Sequence, residues 1–356
     1  MEHRVLNVGL IGYGVAGQVF HAPSITAVPG LRLTKVVERH GNKASSRYPG
    51  VMSVPYVEDV LADPAIDLVI VATPNATHFD LARQAILAGK HVIVDKPFAV
   101  TFNETQELIK LAKQKQNVLS VYQNRRWDGD FLTVKRVAEA DFLGKIVEYE
   151  AHYDRFVNYI RPSTWKEKEG PGSGILYDLG SHLIDQALVL FGLPETITAD
   201  IRIQREHSAI EDSFELIMGY DHLKVTLKGG LLVREPGPRY TLHGTQGSFI
   251  KFGLDPQEEA LKQGATPGAS PAWGMESPET WGTLNADLNG LHFVGKIETI
   301  PGNYLAFYQN IYDVIVNGAE QMVDPEEAGN IIRIIEAAID SQKRRMTIEM
   351  KRDCRE

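Results

Sequence analysis

VLNVGLIGYGVAG, residues 5–17, decides the fold of this chain. It opens with an almost continuous apolar run, Val5, Leu6, Val8, Leu10 and Ile11, as expected of a strand buried on both faces of a parallel sheet. The run breaks into Gly12-Tyr13-Gly14-Val15-Ala16-Gly17, a complete G-x-G-x-x-G. Each glycine answers a steric demand: Gly12 the tight turn, Gly14 the approach of backbone to a pyrophosphate, Gly17 the close packing of helix on strand. A helix starting behind such a turn offers free N–H groups and the positive end of its dipole to a phosphate. Glycine-rich turns occur in many loops, so context decides. Here a second strand, Leu31–Val37, ends on Glu38, about 20 residues past the glycines, where an acid binds an adenosine ribose. The stretch is therefore read as a dinucleotide site and not as a merely structural turn.

Outward from it, strands and helices alternate. Pro23 in HAPSITAV predicts a short phosphate-facing turn and then a helix proper from about Ala22. Further strands are expected at 54–56, 67–73, 91–94 and 118–122, with helical pieces at 57–62, after His78, and from an Asn103 cap to Gln116. Such alternation folds economically only as right-handed crossovers into a doubly wound α/β sheet. Two loops follow strand ends on the side where open α/β sheets bind ligands. One carries Thr73, Pro74, Asn75 and His78, the other Asp95, Lys96 and Pro97. Lys96 has two readings: an ordinary solvated lysine, or a cation fixed by Pro97 to meet a substrate oxygen beside the nicotinamide.

From Gln123 the alternation stops. Asn124 and Arg125 lie in a polar, basic and aromatic turn, and a helix follows to about Ala140. Residues 145–155 alternate with period two, placing Val147, Tyr149, Ala151 and Tyr153 on one face and Ile146, Glu148, Glu150, His152 and Asp154 on the other. That pattern fits an antiparallel sheet covered on one side. A long segment, 157–174, holds Trp165 and four consecutive charges, and loops of such length are usually functional or disordered. Residues 175–191 then read as a helix with Asp178, His182 and Asp185 at i, i+4 and i+7, on one face. A carboxylate one turn from an imidazole can fix its tautomer and move its proton affinity toward neutrality. A catalytic pair, a structural histidine and a thin metal site all remain open at this point. Strands are expected at 196–205, 213–220, 223–232, 240–244 and 248–252, a loop at 264–274, and amphipathic helices at 303–316 and 325–342.

A length of 356 residues accommodates two domains, with the boundary placed at 123/124 and the C-terminal helices free to pack back on the first. The net charge of −9 argues against nucleic acid and anionic membrane as partners. A single cysteine, Cys354, excludes an intramolecular disulfide and a cysteine metal site. The opening residues have no leader pattern, and no run of about 18 apolar residues occurs, so a cytoplasmic protein is expected.

GYGVAG, Thr73-Pro74-Asn75, Asp95-Lys96-Pro97 and Asp178-x-x-x-His182 together resemble the glucose–fructose oxidoreductase/inositol dehydrogenase family of NAD(P)-dependent oxidoreductases. Within it, LSVYQNRRWDGDFLT and GILYDLGSHLIDQ are most similar to the NADP-dependent scyllo-inositol dehydrogenase branch. The resemblance implies a Rossmann domain followed by an α+β domain with a large, open, mostly antiparallel sheet. It also implies that Lys96 contacts the reacting hydroxyl, that His182 exchanges its proton, and that Asp178 orients His182. The family's usual Glu-Lys-Pro is here Asp95-Lys96-Pro97, a carboxylate one methylene shorter. Asn124, Arg125, Tyr153, Arg155, Trp165 and Asp185 are further candidates for holding a polyol. Metal is not expected. Glu38 favours NAD narrowly over NADP, against Arg39 beside it, which can clamp a phosphate. The leading expectation is a dehydrogenase of an inositol or sugar. The alternatives are a sugar sensor without turnover and a dehydrogenase of a non-sugar diol. A one-sided sheet of this size also predicts a homodimer or larger homo-oligomer.

Overall fold

In the computed structural model, which describes residues 4–162 and 164–350, Leu6–Ile11 forms strand β1. Cys354 lies outside the described residues. β2 (Leu31–Val37), β3 (Met52–Val54), β4 (Leu68–Val71), β5 (His91–Val94) and β6 (Leu119–Val121) join it in a six-stranded sheet. The order is β3-β2-β1-β4-β5-β6 and every pairing is parallel. β4 is buried along its whole length, as helices on both faces of a parallel sheet require. The third strand is shifted toward the N-terminus of the expected 54–56. The helix Phe102–Lys115 is capped by Thr101 and not by Asn103. Thr101 Oγ1 accepts from Glu104 N (3.2 Å) while the Glu104 carboxylate accepts from Thr101 N (3.0 Å), so TFNE is a capping box.

The chain divides into two compact units. The first runs through Trp127 and takes in Pro256–Trp273 and Asn303–Gly329. The helix Leu305–Asn317 contributes Phe307, Tyr308, Ile311 and Tyr312 to the same core as Leu6, Val8, Leu10 and Ile25. Its fit is tight: a Cβ on Gly30, where φ is +90°, would lie 2.3 Å from the Tyr312 ring.

The second unit comprises Asp128–Asp255, Gly274–Gly302 and the chain from Asn330 onward. Its sheet contains β7 (Ile146–Asp154), β8 (Thr196–Arg202), β9 (Ser213–Gly219), β10 (Lys224–Gly230) and β11 (Tyr240–Gly244). β12 (Gly247–Lys251), β13 (Gly282–Leu288), β14 (Leu291–Ile297) and β15 (Ile348–Glu349) complete it. The order is β14-β13-β12-β11-β7-β10-β9-β8-β15, antiparallel throughout except for the parallel pair β7–β10. Tyr149, Ala151 and Tyr153 are buried as the alternation predicts, whereas Val147 is exposed. The other face of the central strands is charged and ion-paired: Lys224 with Glu148 (2.5 Å), Lys228 with Glu150 (2.9 Å), and His152 between Glu150 (2.6 Å) and Asp154 (3.0 Å). Exposed apolar side chains gather instead on the edge strand β14, at Leu291, Phe293 and Val294. Among the described residues no helix is long and apolar enough to cross a membrane, and no cluster of three metal-ligating side chains occurs.

Burial pulls the proton affinity of His152 down, but Asp154 and Glu150 outweigh it and hold the imidazole above its ordinary value. The fold therefore favours the charged form. Its contribution is complete below about pH 6.5, the ordinary histidine value, and is lost as pH rises through the folded-state value. His152→Gln should lower the urea midpoint at mildly acidic pH and progressively less as the solution is made alkaline. A loss that does not vary with pH would mean that the imidazole has the same proton affinity folded and unfolded.

Candidate active site

The three glycines of the first turn have different reasons for being glycine. Gly12 has φ +102°, and a Cβ there would lie 2.4 Å from Ala72 O. A Cβ on Gly17 would lie 2.3 Å from Gly12 O. Both are demanded by the packing of the protein itself. Around Gly14 a Cβ would meet nothing within 4 Å, so the packing of the protein does not demand a glycine there and the position is open to a ligand. Behind it the α-helix starts at Ala22 as expected, and what differs is the turn before it. A π-helical stretch, Ala16–His21, runs directly into the α-helix Ala22–Ala27, and the change of pitch falls beside Pro23.

Glu38 is buried and turned inward. Its Oε1 accepts from Ala44 N (2.8 Å) and Ser53 Oγ (2.6 Å), its Oε2 from Lys43 N (3.1 Å). The carboxylate thus builds the start of the short helix Lys43–Arg47. Arg39, His40 and Lys43 are exposed just beyond it.

The loops after β4 and β5 are tied together by His78. It is fully buried, with Nε2 2.9 Å from Thr73 O and Nδ1 2.8 Å from Pro97 O, and burial holds its proton affinity below the ordinary value. A neutral imidazole has one N–H, so one of these carbonyls receives the donor. His78 is a clasp between two loops, where a cofactor contact was expected. Thr73 Oγ1 and Thr77 Oγ1 stand 2.7 Å apart, and Asn75 is buried in the 3₁₀ turn Asn75–Thr77. Asp95 Oδ1 accepts from Lys96 N (2.8 Å), and Oδ2 lies 3.7 Å from Nε2 of His21. His21 is fully buried, with Nδ1 2.5 Å from the Tyr308 hydroxyl. Burial raises the Asp95 carboxyl, but His21, Lys96 and His78 outweigh it and leave it below the usual carboxylate range. The peptide between Lys96 and Pro97 is cis. His21 was missed in the sequence because its partners, Tyr308 and Asp95, are distant along the chain.

Asn124 and Arg125 are buried in the 3₁₀ turn Asn124–Trp127. Arg125 forms an ion pair with Glu258. Burial raises the Glu258 carboxyl, yet Arg125 and Lys262 outweigh it and hold it at about 2. The guanidinium expected to hold substrate is engaged with the protein.

In the second unit, the expected single α-helix begins as a π-helical stretch, Leu176–Gly180, and becomes α-helical over Ser181–Phe191. Asp178 therefore stands in the wider turn, and the 3.6-residue spacing holds only from Ser181 onward. Lys166 Nζ lies 3.0 Å from Asp178 Oδ1. His182 is buried and stacks on Tyr153 of β7 (centroids 6.5 Å apart, planes at 29°). The guanidiniums of Arg155 and Arg239 stand 5.0 and 4.5 Å from the centroid of the same ring. Asp185 is buried on the helix of His182, while Trp165 is 41% exposed in the 3₁₀ turn Trp165–Glu167. Nothing in the run Lys166-Glu167-Lys168-Glu169 singled out Lys166, because the signal is its partner and not its neighbours.

Residues 6–123 match the model of an oxidoreductase family with an NAD-binding Rossmann fold, and residues 135–350 match the C-terminal alpha/beta domain of that family. The chain is 42% identical to the scyllo-inositol 2-dehydrogenase (NADP(+)) IolW of Bacillus subtilis (strain 168), over 97% of this chain and 96% of that protein. It is 42% identical to the oxidoreductase YdgJ of Escherichia coli (strain K12), over 96% and 98%. The solved structure of yvaA from Bacillus subtilis superposes with a TM-score of 0.95 at 40% identity, covering 99% of this chain and all of that one.

Gly14→Ala should fold like the wild type and bind NAD⁺ and NADP⁺ an order of magnitude more weakly. Gly17→Ala should be destabilised by about 1–3 kcal/mol, the usual range for overpacking. Thermal melts and calorimetric titrations separate the two. Unchanged cofactor binding in Gly14→Ala would place the pyrophosphate elsewhere.

Proposed function

This chain belongs to the glucose–fructose oxidoreductase/inositol dehydrogenase family, and on that premise we propose that it interconverts a secondary alcohol and a ketone on an inositol or sugar. It is an NAD(P)-dependent oxidoreductase, and a nicotinamide held there would supply the hydride chemistry. The observation that carries the proton chemistry is His182, buried against Tyr153 four residues after the carboxylate of Asp178. As the alcohol carbon loses hydride, the hydroxyl loses its proton to His182 and the carbon–oxygen double bond forms. In the reverse direction the imidazolium returns that proton to the oxygen. Asp178 orients the ring and stabilises its charged form. Lys96 offers an ammonium to the oxygen on which negative charge develops. Thr73, Pro74, Asn75 and the Gly12–Gly17 turn receive the cofactor. Asn124, Tyr153, Arg155, Trp165 and Asp185 remain the residues for holding a polyol. Arg125, paired with Glu258, leaves that set.

A panel of inositols and sugars incubated with NAD⁺ and with NADP⁺ tests the substrate class, through the absorbance of the reduced nicotinamide. His182→Ala should lower turnover by about 10²–10⁴-fold, the range for a lost general base, with cofactor binding retained. Lys96→Ala should cripple turnover, and Lys96→Arg should not rescue it, because a planar fork does not replace a compact ammonium. Activity of His182→Ala equal to the wild type would remove the assignment, and an inert wild type would remove the substrate class.

We further propose that NADP is the preferred cofactor. An NAD preference rests on Glu38 as a ribose acceptor, and that carboxylate already takes three donors from Lys43, Ala44 and Ser53. Arg39 is exposed beside it, free to clamp a 2′-phosphate. The relative IolW carries NADP in its name. Arg39→Ala should then raise the KM for NADP⁺ by about tenfold or more, the scale of a lost charge-assisted hydrogen bond, and leave the KM for NAD⁺ nearly unchanged. A wild type that prefers NAD⁺ would overturn this choice.

A further inference from the structure

We infer that Lys166 is a positioning residue for the Asp178–His182 pair, held in place by a buried ion-pair clamp centred on Arg205; the inference rests on the proton-transfer role proposed for that pair. Segment 157–174 has the length and composition of a loop that stays loose. Arg205 prevents it. The Arg205 side chain is 1% exposed, and its Nη1 and Nη2 donate to Glu167 Oε1 (3.2 Å) and Oε2 (2.9 Å). Nη1 also donates to Tyr159 O (2.9 Å), and Nε donates to Asp212 Oδ2 (2.9 Å). The Asp212 side chain is fully buried and accepts as well from Arg205 N and Gln204 N. The far end of the segment is fixed by the neighbouring acid. Ile175 N donates to Glu211 O (3.2 Å), and a Cβ on Gly174 would lie 1.8 Å from the Glu211 carboxylate. The Glu211 backbone thus ties one end of the segment, and Arg205, seated on Asp212, ties Tyr159 and Glu167.

The clamp delivers Lys166. Glu167 is its neighbour, and Thr164 Oγ1 accepts from Lys166 N (3.3 Å). An ion pair between two half-exposed, flexible side chains is ordinarily worth little, because ordering both chains offsets the attraction. Here the backbone beneath the lysine is already fixed, so less freedom is lost when its Nζ meets Asp178. An ammonium on Oδ1 restricts the rotation of the Asp178 carboxylate, as is needed of a group that orients an imidazole.

The test uses full-length wild type, Lys166→Ala, Lys166→Arg and Glu167→Gln; the last weakens the clamp more gently than loss of Arg205. Lys166→Ala should lower kcat by about tenfold or more, a modest share of what misplacing a catalytic group can cost, with cofactor KM and thermal midpoint unchanged. Lys166→Arg should restore most of the rate. Without any substrate, Lys166→Ala and Glu167→Gln should both move the side-chain ¹⁵N resonances of His182, and Glu167→Gln should open the chain to trypsin after Lys166 and Lys168. Wild-type kcat and unmoved His182 resonances in Lys166→Ala overturn the positioning role. Wild-type resistance to trypsin in Glu167→Gln overturns the clamp. A wild type inert on every polyol condemns the substrate class alone, because the resonances and the trypsin digest still judge Lys166 and Arg205.

Discussion

The end of β1 is a place where backbone must touch backbone. Gly12 lies against the carbonyl of Ala72, and Gly17 lies against the carbonyl of Gly12. This close approach lets the helical stretch beginning at Ala16 start directly behind the sheet. It also sets the level at which β1 and β4 end together, since Ile11 pairs with Val71 and Ala72 N donates to Ile11 O (2.8 Å). The Thr73 loop begins one residue later. Side chains at Gly12 or Gly17 would force the strands and the helix apart, and every ligand-facing loop of the first unit would move with them.

Where local chemistry dictates structure, the sequence could be read closely. β2, β5 and β11 have the expected limits, because apolar runs bounded by glycine or charge have few other homes. β14 escaped notice for the opposite reason. β14 is exposed or half-exposed along its whole length, so LHFVGKI has neither the alternation of a one-sided strand nor the continuity of a buried one. The π-helical stretches before His182 and after Gly14 were equally invisible, since hydrophobic spacing assumes a pitch that these segments do not have. The capping box at Thr101 is legible in TFNE, where a hydroxyl and a glutamate stand three residues apart.

Acids were the hardest residues to assign, because a carboxylate's role is set by what it accepts and the acceptors' partners are often backbone. Glu38 stands where a ribose acid stands in a Rossmann sheet, yet three protein donors surround it. Asp95 stands beside the proposed reacting oxygen, yet its own oxygens face Lys96 N and His21. Neither arrangement leaves a mark on the sequence near the acid. The positions proposed to carry the chemistry are read from motif and position, whereas the contacts of His21, Lys166 and Arg205 became visible only in the folded chain.

The cations divide along a physical line. Arg125 and Arg205 are buried, and each meets a carboxylate with a planar fork whose several donors suit a fixed frame. An ammonium can serve the same purpose when the cage is complete. Lys251 is fully buried and donates to Glu276 (2.6 Å), Phe252 O (2.8 Å) and Thr280 O (3.0 Å), one acceptor for each of its three hydrogens. Among the described residues Lys166 has no such cage: it is half-exposed, and the charged partner it meets is Asp178. A lysine so placed adds little to stability, and a clamp of buried charge beneath it would be out of proportion if stability were its purpose. The disproportion is resolved if the segment is held for the sake of what Lys166 touches.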